Sequence, residues 1–273
     1  MSESEAIMNT PTAVATSTAK TDRGNHSDAL RHILTIAKHE VVGFFASPVA
    51  YVFIVIFLLL SGFFTFMVSG FFAQGQANLQ AFFAWHPWLY LFLVPAVGMR
   101  MWSEERRLGT IELLLTMPIT PWQAIVGKFL ASWLVLALAL FLTFPIILTV
   151  NYLGHPDNGV IIASYFGSLL LSGTYLSIST MTSAMTRNQV VSFIVSVVLC
   201  LFLILAGWPP VTNFLTGWAG ASLVDTVAAF SVMSHFESIQ KGVIDSRDVF
   251  YFFSVIAFSL FATSVIIRAH RAG

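Results

Sequence analysis

The sequence predicts an all-α integral membrane protein with six transmembrane helices, and three observations lead there. Apolar residues make up 57% of the 273 residues and charged residues only 10%, with a mean hydropathy of +0.82. Soluble domains are nearer a quarter charged. Six apolar runs approach the ~20 residues needed to cross a bilayer, at residues 49–72, 85–101, 122–152, 160–184, 190–208 and 249–267. The basic residues alternate across them. Lys20, Arg23, Arg31, Lys38, Arg100, Arg106, Arg107, Lys128, Arg187, Arg268 and Arg271 fall on one side, and only Lys241 and Arg247 on the other. The positive-inside rule then makes both termini and the loop after the second run cytoplasmic.

The elements follow in order. Residues 1–27 are polar, rich in Ser, Thr and Ala, and lack the apolar core of a secretory signal peptide; they are expected to form a disordered cytoplasmic tail. Across 28–47, Leu30, Ile33, Leu34, Ala37, Val41 and Phe44 recur at helical spacing against Arg31, His32, Lys38, His39 and Glu40. That pattern predicts an amphipathic interfacial helix, and Ser47-Pro48 marks its turn into the bilayer. The second run is the shortest and holds Pro87 and Pro95, so a kink is expected there. The third is long enough to tilt or to begin outside the hydrocarbon. In the fourth, Ser164, Ser168, Ser172, Tyr175, Ser179 and Ser183 form a stripe at helical spacing. Small hydroxylated residues suit a bundle or dimer contact, or the wall of a conduit. The loop 209–248 is too apolar for a plain linker and is expected to hold one or two short helices at the interface, where Trp208 and Trp218 suit the headgroup level.

Between the second and third runs lies the most distinctive stretch, Trp102 to Pro118. At ~100° per residue, Leu108, Ile111 and Leu115 share one face and Glu105, Gly109, Glu112 and Thr116 another. A helix over 103–117 is predicted, lying on the membrane and showing an acidic stripe to a soluble partner. The pattern Glu104-Glu105-x-x-x-Gly109-Thr110-x-Glu112-x-Leu114-Leu115-x-x-Pro118 resembles the cytoplasmic loop of ABC-2-type permeases, and most closely their gliding-motility-type branch. Lys38-His39-Glu40, Phe44-Phe45-x-Ser47-Pro48, Pro95-x-x-x-Met99-Arg100, Thr120-x-Trp122, Gly127-Lys128 and Asn188-Gln189 are similar to that branch too.

The resemblance implies a permease subunit of an ATP-driven exporter in a bacterial inner membrane. Its partners would be a cytoplasmic ABC ATPase, a second permease copy or paralogue, and an auxiliary periplasmic subunit. It also implies a re-entrant outer hairpin within 209–248 and a coupling role for Glu104, Glu105, Gly109, Thr110, Glu112 and Pro118. A subunit that transmits force to an envelope machine without passing cargo is the alternative.

Other chemistries find little support. A phosphate-binding loop would need Ser or Thr after Gly127-Lys128 and a glycine five residues before; Phe129 follows and Trp122 precedes. ATP is therefore expected on a partner, with no cofactor and no catalytic residue in this chain. A rhomboid-like protease would use Ser172-Gly173, but Leu170 stands where that family has glycine and the sixth run has no histidine base. His86, His155 and His235 are not paired at metal-ligand spacing. His39 and His270 read as cytoplasmic surface groups. The single cysteine, Cys200, excludes an intramolecular disulfide and a cysteine metal cluster. No Asp, Glu, Lys or Arg sits at the middle of a run, against an ion-coupled carrier, and nothing suggests a nucleic-acid face.

Overall fold

The computed structural model describes residues 15–73, 75, 77–110, 120–216 and 227–269, and no strand occurs among the described residues. Chain order gives α1 (Ala15–Ala46), α2 (Pro48–Phe63) with a π-helical turn (Phe64–Val68), α3 (Gln80–Ala84), α4 (His86–Gly98) and α5 (Arg100–Leu108). Then come α6 (Pro121–Phe141), α7 (Pro145–Leu153), α8 (Asn158–Met185), α9 (Gln189–Leu205), α10 (Pro209–Thr216), α11 (Val232–Gln240) and α12 (Ser246–Ala269).

Local chemistry sets most of these boundaries. Ser47 caps α2 by accepting from the Val49 N–H at 3.2 Å, with Pro48 at the first helical position, where proline's missing N–H costs nothing. Thr120 and Gln123 form a reciprocal capping box ahead of Pro121. Asp157, Asn188 and Ser231 cap α8, α9 and α11. Pro145 restarts the helix after a tight turn at Leu142–Phe144, so the third run is two helical pieces.

Among the described residues, four helices are long and apolar enough to cross a membrane: Pro48–Val68, Pro121–Leu153, Asn158–Met185 and Ser246–Ala269. They coincide with the first, third, fourth and sixth runs. The fifth run forms the shorter apolar helix Gln189–Leu205. The second run forms α4, which has only 13 residues, so the six-span expectation is not confirmed. Pro87 lies in the first turn of α4, Pro95 is accommodated inside it, and beyond Met99 the chain continues as the charged α5. Six full-length spans are thus not found among the described residues. The interfacial helix expected over 28–47 lies within α1, which begins at Ala15, inside the stretch expected to be a disordered tail. In the loop 209–248 two short helices are described, α10 and α11.

The centre of the bundle is α8, which packs against α4, α5, α6, α9, α11 and α12. Outward, Leu59, Phe63, Leu134, Phe141, Phe202, Phe258 and Phe261 are exposed. So much large apolar surface is a liability in water and the normal exterior of a protein solvated by lipid.

Candidate functional site at the basic end of the bundle

Short as it is, α5 is anchored at both edges. Its first turn buries Met101, Trp102 and Ser103 against the end of α8. There Ser183 Oγ accepts from the backbone N–H groups of Trp102 and Ser103, each at 3.0 Å, and donates to the Met99 carbonyl at 2.8 Å. One hydroxyl therefore satisfies two N–H groups at the junction of α4 and α5, which helix geometry would leave without partners. In the last turn, the Arg106 guanidinium donates to the Ala184 carbonyl. Desolvation, and after it the like charge of Arg187, draws the Arg106 pKa below its ordinary value.

On its other edge α5 meets Lys128. The Lys128 ammonium lies 2.7 Å from Glu105 Oε1 and 2.7 Å from Glu40 Oε1, joining α5, α1 and α6 through one cation. The ammonium also stands 5.5 Å from the ring centroid of the buried Trp102, within cation–π range. The Lys128 side chain is 9% exposed, so these contacts replace most of its hydration. A charge buried this far is retained only where counter-charges and hydrogen bonds meet it.

Glycine sets how closely α1 approaches. A Cβ at Gly127 would stand 2.8 Å from Ile36 Cγ2 and 3.2 Å from the Ile33 carbonyl oxygen, so a larger residue would force Ile36 or the backbone of α1 to shift. Gly127 thus lets α1 settle on α6 where Glu40 reaches Lys128. Beside the triad is a cavity of about 470 Å³ bordered by Arg100, Glu104, Glu105, Lys128 and Ser132. Two buried polar atoms in its wall residues, Glu105 Oε2 and Ser132 Oγ, have no hydrogen-bond partner among the described residues.

The residues predicted for this site divide into three groups. Glu104 and Glu105 are partly exposed on α5, and Thr110 is exposed just past it, with its hydroxyl 3.4 Å from the Glu105 carbonyl. Glu112 and Pro118 lie outside the described residues. The single helix expected over 103–117 is interrupted, because α5 ends at Leu108 and Gly109 takes the left-handed conformation at φ +75°, which glycine alone adopts without strain. Glu105 is engaged by Lys128 rather than freely displayed.

The fourth-run stripe lies inside the bundle. Ser164, Ser168, Ser172, Tyr175, Ser179 and Ser183 are each no more than 2% exposed, the bundle contact among the arrangements expected for it. Ser168 hydrogen-bonds His86, and Ser172 bonds back to its own helix at the Leu169 carbonyl. Sequence reasoning missed Lys128 and Glu40. The available signal was a lone lysine two turns into an apolar run, which requires a counter-charge nearby.

Residues 34–267 match the family described as ABC-2 family transporter protein. No curated protein matches the chain.

Proposed function

We propose, since the chain belongs to the ABC-2 family of transporter proteins, that it is the membrane subunit of an ABC exporter. It would couple ATP hydrolysis by a separate cytoplasmic ATPase to transport across a bacterial inner membrane. In this reading the basic end of the bundle is cytoplasmic, with both termini. The segment from Glu104 through Gly109 and Thr110 to Glu112 and Pro118 receives the ATPase, the acidic side chains meeting basic groups on it. A second permease copy or paralogue completes the conduit, a re-entrant hairpin in 209–248 caps its outer end, and an auxiliary periplasmic subunit can join.

The observation that carries this reading is the double anchoring of α5. Glu105 ties it through Lys128 to α1 and α6, while Trp102, Ser103 and Arg106 tie it to the end of α8. A push on α5 would therefore reach three other helices through charge-assisted bonds. The same lever would serve a subunit that drives an envelope machine of the gliding-motility type without passing cargo; a transport assay separates the two.

The purified chain is expected to hydrolyse no ATP above background. Hydrolysis should appear when the ATPase subunit is added and rise further in the assembled complex, as measured by phosphate release in nanodiscs. Hydrolysis by the isolated, uncontaminated chain would overturn the assignment.

A further inference from the structure

At the end of the bundle away from α5, a second cavity of about 300 Å³ opens where the start of α8 meets the end of α11. Small-molecule sites begin at this size. Its walls are of two kinds. Leu79, Phe83 and Ile161 supply apolar surface, whereas Gln240 and Lys241 supply donors.

Gln240 is 9% exposed, and its amide Nε2 has no hydrogen-bond partner among the described residues. A buried donor left unmet is destabilising, so a ligand that meets it gains that interaction on binding. Lys241, adjacent in sequence and lining the same cavity, sets the sign of that ligand as negative. Asp157 also lines the cavity, but its Oδ1 accepts from the Gly159 and Val160 N–H groups at 2.8 and 3.3 Å. Its charge is thereby directed into the first turn of α8, where a carboxylate is favoured.

The backbone holds the two donors in place. Gly242 ends α11 at φ +82°, and a Cβ there would stand 2.8 Å from Val160 Cγ2. The chain leaving Lys241 is thus pressed onto the start of α8, while the Gln240 carbonyl lies 3.4 Å from the Ser164 hydroxyl.

We propose that this cavity binds a phosphate carried on an apolar or glycerol stem, with the oxyanion on Gln240 Nε2 and Lys241 and the stem against Leu79, Phe83 and Ile161. The site lies at the start of α8, a helix long and apolar enough to cross a membrane, where phospholipid headgroups are the commonest oxyanions. Its source is either a phospholipid of the surrounding leaflet or a soluble glycerol phosphate. The site is separate from the ATPase-facing end, and the proposal holds whichever cargo is moved.

The test uses the full chain, stripped of lipid in detergent. Native mass spectrometry follows retention of added phosphatidylglycerol against diacylglycerol, and calorimetry follows sn-glycerol 3-phosphate. Wild type should retain phosphatidylglycerol over diacylglycerol, and Gln240→Leu and Lys241→Ala should each weaken retention about tenfold or more. Gln240→Leu removes an unmet donor at similar volume, so its melting temperature should be unchanged or higher, and the lost binding cannot then be blamed on unfolding. If glycerol phosphate also binds and depends on Gln240, the site takes soluble phosphates. If only the lipid binds, the bilayer is the source. Equal retention of diacylglycerol, or undiminished phosphatidylglycerol binding in the Gln240→Leu/Lys241→Ala double variant, would overturn the proposal.

Discussion

Lys128→Met is expected to lower the melting temperature of the detergent-solubilised chain by roughly 5–10 °C and to abolish permease-stimulated ATP hydrolysis. The methionine keeps most of the length of the side chain and removes its charge. Glu40 and Glu105, which now share one ammonium at 2.7 Å each, would face one another with nothing between them. Breaking a buried pair from one side costs more than the pair contributes, because the abandoned charges stay desolvated. Glu105 and Glu40 keep 25% and 31% of their side-chain exposure, so the penalty falls to about 2–3 kcal/mol, with each kcal/mol worth about 2–4 °C in a chain of this length. Adding Glu40→Gln and Glu105→Gln to Lys128→Met should restore most of the stability and none of the stimulation. A triple variant as stimulated as wild type would show that the triad holds the fold and transmits nothing. The scheme also revises how an acidic α5 should be probed. Glu105→Lys would set two ammonium groups together and disturb the fold, so Glu104→Lys is the cleaner reversal at the partner surface.

Gly127→Leu is the second large effect. Its Cβ would already stand 2.8 Å from Ile36 Cγ2 and 3.2 Å from the Ile33 carbonyl, and the rest of the side chain must go further into α1. Overpacking of this kind costs about 1–3 kcal/mol when the neighbours can shift. Here one neighbour is backbone, so α1 must lift away from α6 and carry Glu40 off Lys128. The expected readouts are a lowered melting temperature and faster proteolysis within α1. Ile36→Ala in the same chain should recover part of the loss, since it relieves the side-chain clash but not the backbone one. Unchanged stability in Gly127→Leu would mean that α1 does not rest on α6 in the membrane.

The apolar runs were legible because membrane spans advertise themselves by length and composition alone. Those of α2, α6 with α7, α8 and α12 correspond to four helices long enough to cross. What the runs could not reveal is where a helix stops inside one. The turns at Met99 and before Pro145 divide runs that average hydropathy joins. Gly109 had the same effect on the surface helix, since its left-handed φ is invisible to a face computed at constant pitch. The charged segment itself was found from sequence, but its engagement was not. Lys128 meets Glu40 and Glu105 from 88 and 23 positions away in the chain, and no local pattern encodes so distant a pairing. The stripe on α8 was read correctly as small and hydroxylated, yet its burial on all sides depends on where α4, α9, α11 and α12 pack.

The most direct test of the coupling account is site-specific cross-linking in the intact membrane. Cys200 is fully buried, so a cysteine introduced at exposed Thr110 is the thiol a short bifunctional reagent reaches, and Asp157→Cys supplies the control at the far end. The account predicts that Thr110→Cys captures a protein identified by mass spectrometry as a nucleotide-binding ABC ATPase, with a yield that changes when ATP is trapped, and that Asp157→Cys captures none. Capture of that ATPase from Asp157→Cys, or none from Thr110→Cys in a complex that still hydrolyses ATP, would contradict it.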